Sequence, residues 1–195
     1  IVMELLRGVT LREVLDERGR IPLAEAVRFL RPIAEALDAA HAAGVAHRDL
    51  KPENVFVLAD GAVKLIDFGL AKVESDVSVT ETGATLGTPR YMSPEQCRGR
   101  ASDHRSDLYS FGALAYHVLT GRPPFDGDAL ALALHHLNDL PMRPSQRSPE
   151  LPPQVDDVLL ALLAKDPARR PSPLASAIER MLSPPRPHRR WRAWA

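Results

Sequence analysis

The sequence predicts an α+β fold that is mainly α, a bundle of helices with one small β-hairpin set into it. Three observations predict it. Apolar residues between positions 23 and 37 recur at three- and four-residue spacing. Two short apolar runs, 55–58 and 63–66, flank Asp60-Gly61. Helical patterning then returns at Asp107 and continues to about residue 182, divided by Pro-rich connections.

The elements follow in order. Ile1 to Met3 read as the end of an apolar strand. Thr10 and Glu13 stand at the spacing of a capping box, so a short helix is expected after Thr10, closed by Gly19. Pro22 opens a long helix. Its Leu23, Val27, Leu30, Ile33, Ala34 and Leu37 form the buried face, and Glu25, Arg28, Arg31, Glu35 and Asp38 fall largely on the other side. Pro32 has no amide to bond residue 28, so a kink is expected there, and Gly44 ends the helix. Asp60-Gly61 reads as a two-residue hairpin turn. Residues 70–94, rich in Ser, Thr and Gly and without periodicity, read as a long loop, and such loops in compact domains are usually functional. Helices are expected at about 107–120, 128–137, 154–164 and 173–182.

The 195 residues are the length of one ordinary domain, with 45% apolar and 26% charged residues and a formal net charge of zero. That balance excludes a globally basic nucleic-acid binder, so no nucleic-acid partner is expected. The single cysteine, Cys97, cannot form an internal disulfide; a reducing compartment and an indifferent or buried thiol are the expectation. No apolar run is long enough to cross a bilayer. The opening Ile1-Val2-Met3-Glu4 suggests a sequence cut from a longer one. The tail from Ser183 holds four arginines, two tryptophans and no acid. It reads as a linker, with a segment close to an anionic membrane surface as the second reading.

The chemistry concentrates in His47-Arg48-Asp49-Leu50-Lys51-Pro52-Glu53-Asn54 and Asp67-Phe68-Gly69. With a two-residue turn at Asp60-Gly61, Asn54 would face Asp67 across the open end of the hairpin. Facing residues in a ladder have Cβ atoms roughly 4.5–5.5 Å apart. A carboxylate and an amide oxygen at that separation can share one hard cation, with magnesium the natural candidate. Asp49 can accept a hydroxyl proton, and Lys51 can hold a phosphate oxygen. Base, cation and metal ligands within twenty residues make a phosphoryl-transfer constellation.

These segments resemble the catalytic loop and the metal-binding motif of the protein kinases. Ser93-Pro94-Glu95 stands where that family usually has Ala-Pro-Glu. Asp107 to Gly112, Lys165-Asp166-Pro167 and Arg170-Pro171 extend the resemblance over nearly the whole chain. Lys51 two residues after Asp49, with Gly87-Thr88-Pro89 ahead of Ser93, is similar to the serine/threonine branch. Thr80-Glu81-Thr82 and the run from Tyr91 to Gln96 are similar to bacterial receptor-type members.

The resemblance implies the large C-terminal lobe of a kinase that uses ATP and Mg2+ to phosphorylate Ser or Thr of protein substrates. It implies Asp49 as base, Lys51 at the transferring phosphate, and Asn54 and Asp67 as metal ligands. It further implies adenine bonds from the backbone of Glu4 and Leu6, with Phe56 under the ring. Glu95 and Arg170 would form a buried ion pair, and Asp107 would anchor the catalytic loop. Arg48 would meet a phosphate on the long loop, with Thr80 or Thr82 as acceptor, Thr85 behind them, and Thr88 bonding the catalytic loop instead. His47 and Phe68 would pack. Independently of the resemblance, His135-His136 reads as a solvated helix face and not as a metal site.

The expected layout is 1–8 for the hinge and a strand end, 9–182 for the large lobe and 183–195 for the tail. A small lobe, with its glycine-rich loop and strand-borne lysine, is the expected missing partner, and the chain alone is expected to be inactive. The protein is expected in the cytoplasm, the longer one membrane-anchored with this domain facing the cytosol. Two other readings stand beside these: a non-catalytic binding module and a small-molecule phosphotransferase.

Overall fold

The computed structural model describes residues 4–68 and 89–183. The expected strand at Ile1 to Met3, the phosphate acceptors Thr80, Thr82 and Thr85, Thr88, and the basic tail lie outside the described residues. Among the described residues, eight α-helices and three strands appear in the order β1 (Gly8–Thr10), α1 (Leu11–Arg18), α2 (Leu23–Ala42), β2 (Val55–Leu58), β3 (Val63–Leu65), α3 (Pro94–Cys97), α4 (His104–Thr120), α5 (Ala129–Asn138), α6 (Pro144–Arg147), α7 (Pro153–Leu162) and α8 (Leu174–Leu182). The mainly helical α+β class is as the sequence predicts.

The capping box forms as expected. The Thr10 amide donates to Glu13 Oε2 at 2.7 Å, and the Glu13 amide returns to Thr10 Oγ1 at 3.2 Å. Helix α2 continues as one helix through Pro32, the position where a kink is expected. Leu30, Ile33, Ala34 and Leu37 around it are completely buried, and their packing offsets the missing backbone bond. Helix α4 is buried from Ser106 to Leu119 and forms the axis of the core. Helix α2 packs on α4 and α8, and α7 on α4 and α8. Gly112 permits the α4–α7 approach, since a Cβ there would lie 2.8 Å from Leu162 Cβ.

Three details differ from the expectation. β1 pairs antiparallel with β2, so the hairpin is the inner part of a three-stranded sheet in the order β1-β2-β3. Asp38 does not simply face solvent. Its carboxylate accepts the amides of Leu174 and Ala175, both at 2.9 Å, and caps α8 across 136 residues of chain.

The third detail is the hairpin register. Val55 faces Leu65, Phe56 faces Lys64 and Val57 faces Val63, one residue away from the expected pairing. The loop is the three residues Ala59, Asp60 and Gly61. Leu58 bonds Ala62 at 2.8 Å, and Gly61 takes the left-handed φ of 84° that closes such a loop. Asn54 therefore faces Ile66, whose amide donates to the Asn54 carbonyl at 3.0 Å, and not Asp67.

Candidate active site

The site lies on the stretch from His47 to Asn54, ahead of β2, and it starts from a buried carboxylate on the core helix. Asp107 is fully buried on α4. Its Oδ2 accepts the His47 amide at 2.8 Å and the Arg48 amide meets Oδ1 at 2.7 Å. His41 Nε2 on α2 lies 2.8 Å from Oδ2. Hydrogen bonds to a carboxylate are worth about 1.5–3 kcal/mol each. They hold Arg48 at φ 65°, a left-handed conformation rare for a residue with a side chain. Such a residue costs about 1–3 kcal/mol and persists only where its surroundings over-determine it.

The turn at Arg48 throws the next residue, Asp49, out to solvent. Lys51 Nζ donates to Asp49 Oδ2 at 2.7 Å. The Asn54 amide nitrogen donates to the same carboxylate oxygen at 3.1 Å and to the Asp49 carbonyl at 2.8 Å. Asn54 itself is buried at the end of a single 3-10 turn, Pro52–Asn54. The Lys51–Asp49 pair is a third to half exposed and adds little stability; its role is position.

His47 is buried, and burial pulls its pKa below the ordinary value of 6.5 despite the opposing charge of Asp107. The neutral ring has a defined tautomer. Nδ1 receives the Asp49 amide at 3.3 Å, which leaves Nε2–H to donate to the Ile66 carbonyl at 3.1 Å. The ring also packs on Phe68, with centroids 4.7 Å apart, as the packing role expected of both residues requires. Ile66 is thus fixed at its amide by Asn54 and at its carbonyl by His47. Asp67 follows directly, exposed and with a left-handed φ of 58°.

The second group of expected site residues sits on the sheet. Phe56 and Lys64 are cross-strand partners and share one face. The Lys64 ammonium, on the cross-strand partner of Phe56, pairs with the Glu4 carboxylate. Asn54 is joined to Phe56 through Val55 alone, so β2 connects the two groups.

The expected ion pair is present. Arg170 Nη1 and Nη2 meet the two oxygens of Glu95 at 2.7 and 2.9 Å. Burial raises the Glu95 carboxyl, but the Arg170 and Ser106 hydrogen bonds outweigh it and bring the pKa to about 2. Ser106 Oγ donates to Glu95 at 2.7 Å. Cys97 is buried, as expected, and burial pushes its thiol up to about 11.

His135 and His136 are a correction. His135 is half-exposed and bonds Asp139, but His136 is fully buried, its Nδ1 2.9 Å from the Tyr109 hydroxyl. The face that a helix buries is set by its partners, here Tyr109 and Phe125. Sequence reasoning also missed Gln96 as a site neighbour. Its Nε2 donates to the Arg48 carbonyl at 2.7 Å, and the Ser93–Gln96 capping-box spacing is the one local signal that could have pointed to it.

A protein kinase domain model matches residues 1–183. The chain belongs to the protein kinase family. It is similar to the serine/threonine-protein kinase PknL of Mycobacterium tuberculosis, at 49% identity over 172 residues, covering 87% of this chain and 43% of the relative. It is also similar to the serine/threonine-protein kinases PknB of Mycolicibacterium smegmatis and Mycobacterium leprae. Each is 44% identical, over 87% of this chain and 28% of the relative. The kinase domain described here thus spans less than half the length of these relatives. Among the described residues, no helix is long and apolar enough to cross a membrane.

Proposed function

We propose that this chain is the large lobe of a serine/threonine protein kinase, which transfers the γ-phosphate of ATP to serine or threonine hydroxyls of proteins. The observation that carries the reading is the Asp49 carboxylate, exposed to a substrate yet held by Lys51 and Asn54 on a loop bonded to Asp107. Asp49 orients the substrate hydroxyl and accepts its proton as the oxygen attacks the γ-phosphorus. The bond to the β–γ bridging oxygen breaks, and ADP leaves. Lys51, bonded to the carboxylate, would hold a phosphate oxygen.

The donor set fits magnesium. The Asn54 amide nitrogen is spent on Asp49, which leaves its oxygen for a cation, and Asp67 presents an exposed carboxylate. Asn54 and Asp67 would hold the ion, whose chemistry is to neutralise phosphate charge. Glu4, Leu6 and Phe56 would receive the adenine. A small lobe, on the same gene product or on a partner, would close the nucleotide from above. ATP supply places the domain in the cytoplasm, and the basic tail is compatible with a nearby membrane.

The test is Asp49→Asn in the full product of the gene. A general base contributes about 10²–10⁴-fold, so phosphate transfer to protein should fall by at least 100-fold while ATP affinity stays within threefold. Activity within a few-fold of the parent would overturn the reading.

A further inference from the structure

The backbone around Asp49 is held largely by groups whose role is clear. The amides of His47 and Arg48 go to Asp107, and the amide of Asp49 goes to His47. The Asp49 carbonyl goes to Asn54, and the Arg48 carbonyl belongs to the peptide unit that carries the Asp49 amide. It accepts its bond from the Gln96 side chain at 2.7 Å, from a helix 48 residues further along the chain. Arg48 holds its left-handed φ of 65° between these partners, and such a conformation needs each of them to stay in place.

Gln96 is itself held. Its Oε1 accepts the Ser93 amide at 3.0 Å, and its own amide bonds Ser93 Oγ at 3.3 Å. The residue before it, Glu95, is locked to Arg170 and Ser106. Helix α3 is therefore fixed to the core by Glu95 and reaches back to the catalytic loop through Gln96.

We propose that Gln96 is a positioning residue for phosphoryl transfer. It sets the orientation of the Arg48–Asp49 peptide, and hence of the Asp49 carboxylate, and so transmits the placement of α3 to the base. The proposal rests on the reading of Asp49 as base. Both amide functions of Gln96 are needed, the oxygen for Ser93 and the nitrogen for Arg48. Glutamate at this position keeps the first contact and loses the second.

The experiment compares Gln96→Glu, Gln96→Ala and Ser93→Ala in the full gene product, with steady-state kinetics and thermal melting. Ser93→Ala removes the hydroxyl half of the same capping box, leaves the Arg48 bond intact and restores the family's usual residue. Loss of one orienting hydrogen bond should lower kcat about tenfold in both Gln96 variants, with KM for ATP unchanged within about twofold. Ser93→Ala should keep parental kcat, even where its melting temperature falls as far as that of Gln96→Ala. In Gln96→Glu the loss should shrink as pH falls from 8 towards 5, because the protonated acid regains a donor for the Arg48 carbonyl.

Parental kcat in both Gln96 variants would overturn the proposal. So would equal loss of kcat in Ser93→Ala and Gln96→Ala, which would mark the capping box as merely structural. The Asp49→Asn control separates the two levels: if that variant remains active, the reading of the base fails and not the Gln96 assignment alone. A Gln96→Glu protein that does not fold leaves the decision to the kcat of Gln96→Ala against that of Ser93→Ala.

Discussion

Replacing Glu95 by Gln removes a charge without removing volume, and the structure sets the size of the effect. The Arg170 side chain has no exposed surface and that of Glu95 is 12% exposed. Arg170 also donates to the carbonyls of Ala164, at 2.9 Å, and Arg105, at 2.7 Å, so it cannot swing out to water. Glu95→Gln therefore leaves a buried guanidinium without its counter-charge, a loss of about 3–5 kcal/mol in buried pairs. The carboxyl pKa gives an independent figure. A fall from 4.5 to about 2 corresponds to roughly 3 kcal/mol. In a domain of this size that lowers the melting temperature by about 6–12 °C.

The pH dependence has a definite sign. The folded pKa lies below the unfolded one, so the stabilisation is complete above about pH 4.5 and is lost as pH falls from there towards 2. Denaturant unfolding of the parent and Glu95→Gln proteins at pH 7 and pH 3 should show the gap fall to less than half at the lower pH. A gap under about 1 kcal/mol at pH 7, or one that keeps its full size at pH 3, would refute the reasoning.

Other perturbations follow from the same contacts. Asp38→Ala should cost about 1–2 kcal/mol by uncapping α8, with Asp38→Asn milder; unchanged denaturation midpoints in both would show the cap to be idle. Asp107→Asn should turn a donor towards the His47 or Arg48 amide, cost about 2–3 kcal/mol and lower kcat with ATP affinity kept; a parental melting curve and rate would contradict the anchoring role. His117 and His136 are buried, and burial brings both to about 4. The unfolded chain then binds these protons first, so stability should drop between pH 6.5 and 4. NMR titration of either ring near 6.5 would count against it.

What the sequence made legible was local. The capping box at Thr10, the apolar face of α2 and the helices α4, α5, α7 and α8 depend on neighbours within one or two turns, and each forms within a few residues of its expected bounds. The order of Asp49, Lys51, Asn54, Asp67, Glu95 and Arg170 identified the family because that order is a chemical constraint. The rest depends on partners distant in sequence. β1 is a strand only because β2 lies beside it. Asp38 looks like a solvent-facing charge until the start of α8 arrives 136 residues later. His136 looks like the polar side of a helix until Tyr109 and Phe125 close over it. Gln96 sits in a visible capping box, but nothing local directs its nitrogen to Arg48.

The hairpin register changes how the proposed metal ligands come together. A two-residue turn would place Asn54 and Asp67 opposite each other as a ladder pair. The three-residue loop puts Ile66 in that place and leaves Asp67 beyond the ladder, at φ 58°. Its direction is then set by whatever holds Ile66, and one of the two holders is His47 Nε2. The other nitrogen of that ring receives the amide of the proposed base. A single imidazole therefore joins the Asp49 arm to the Asp67 arm, and it can do so only while neutral, with one nitrogen accepting and the other donating. Burial supplies that condition by lowering the His47 pKa. The histidine is then required for its two opposite hydrogen-bonding edges, and no proton transfer need be assigned to it.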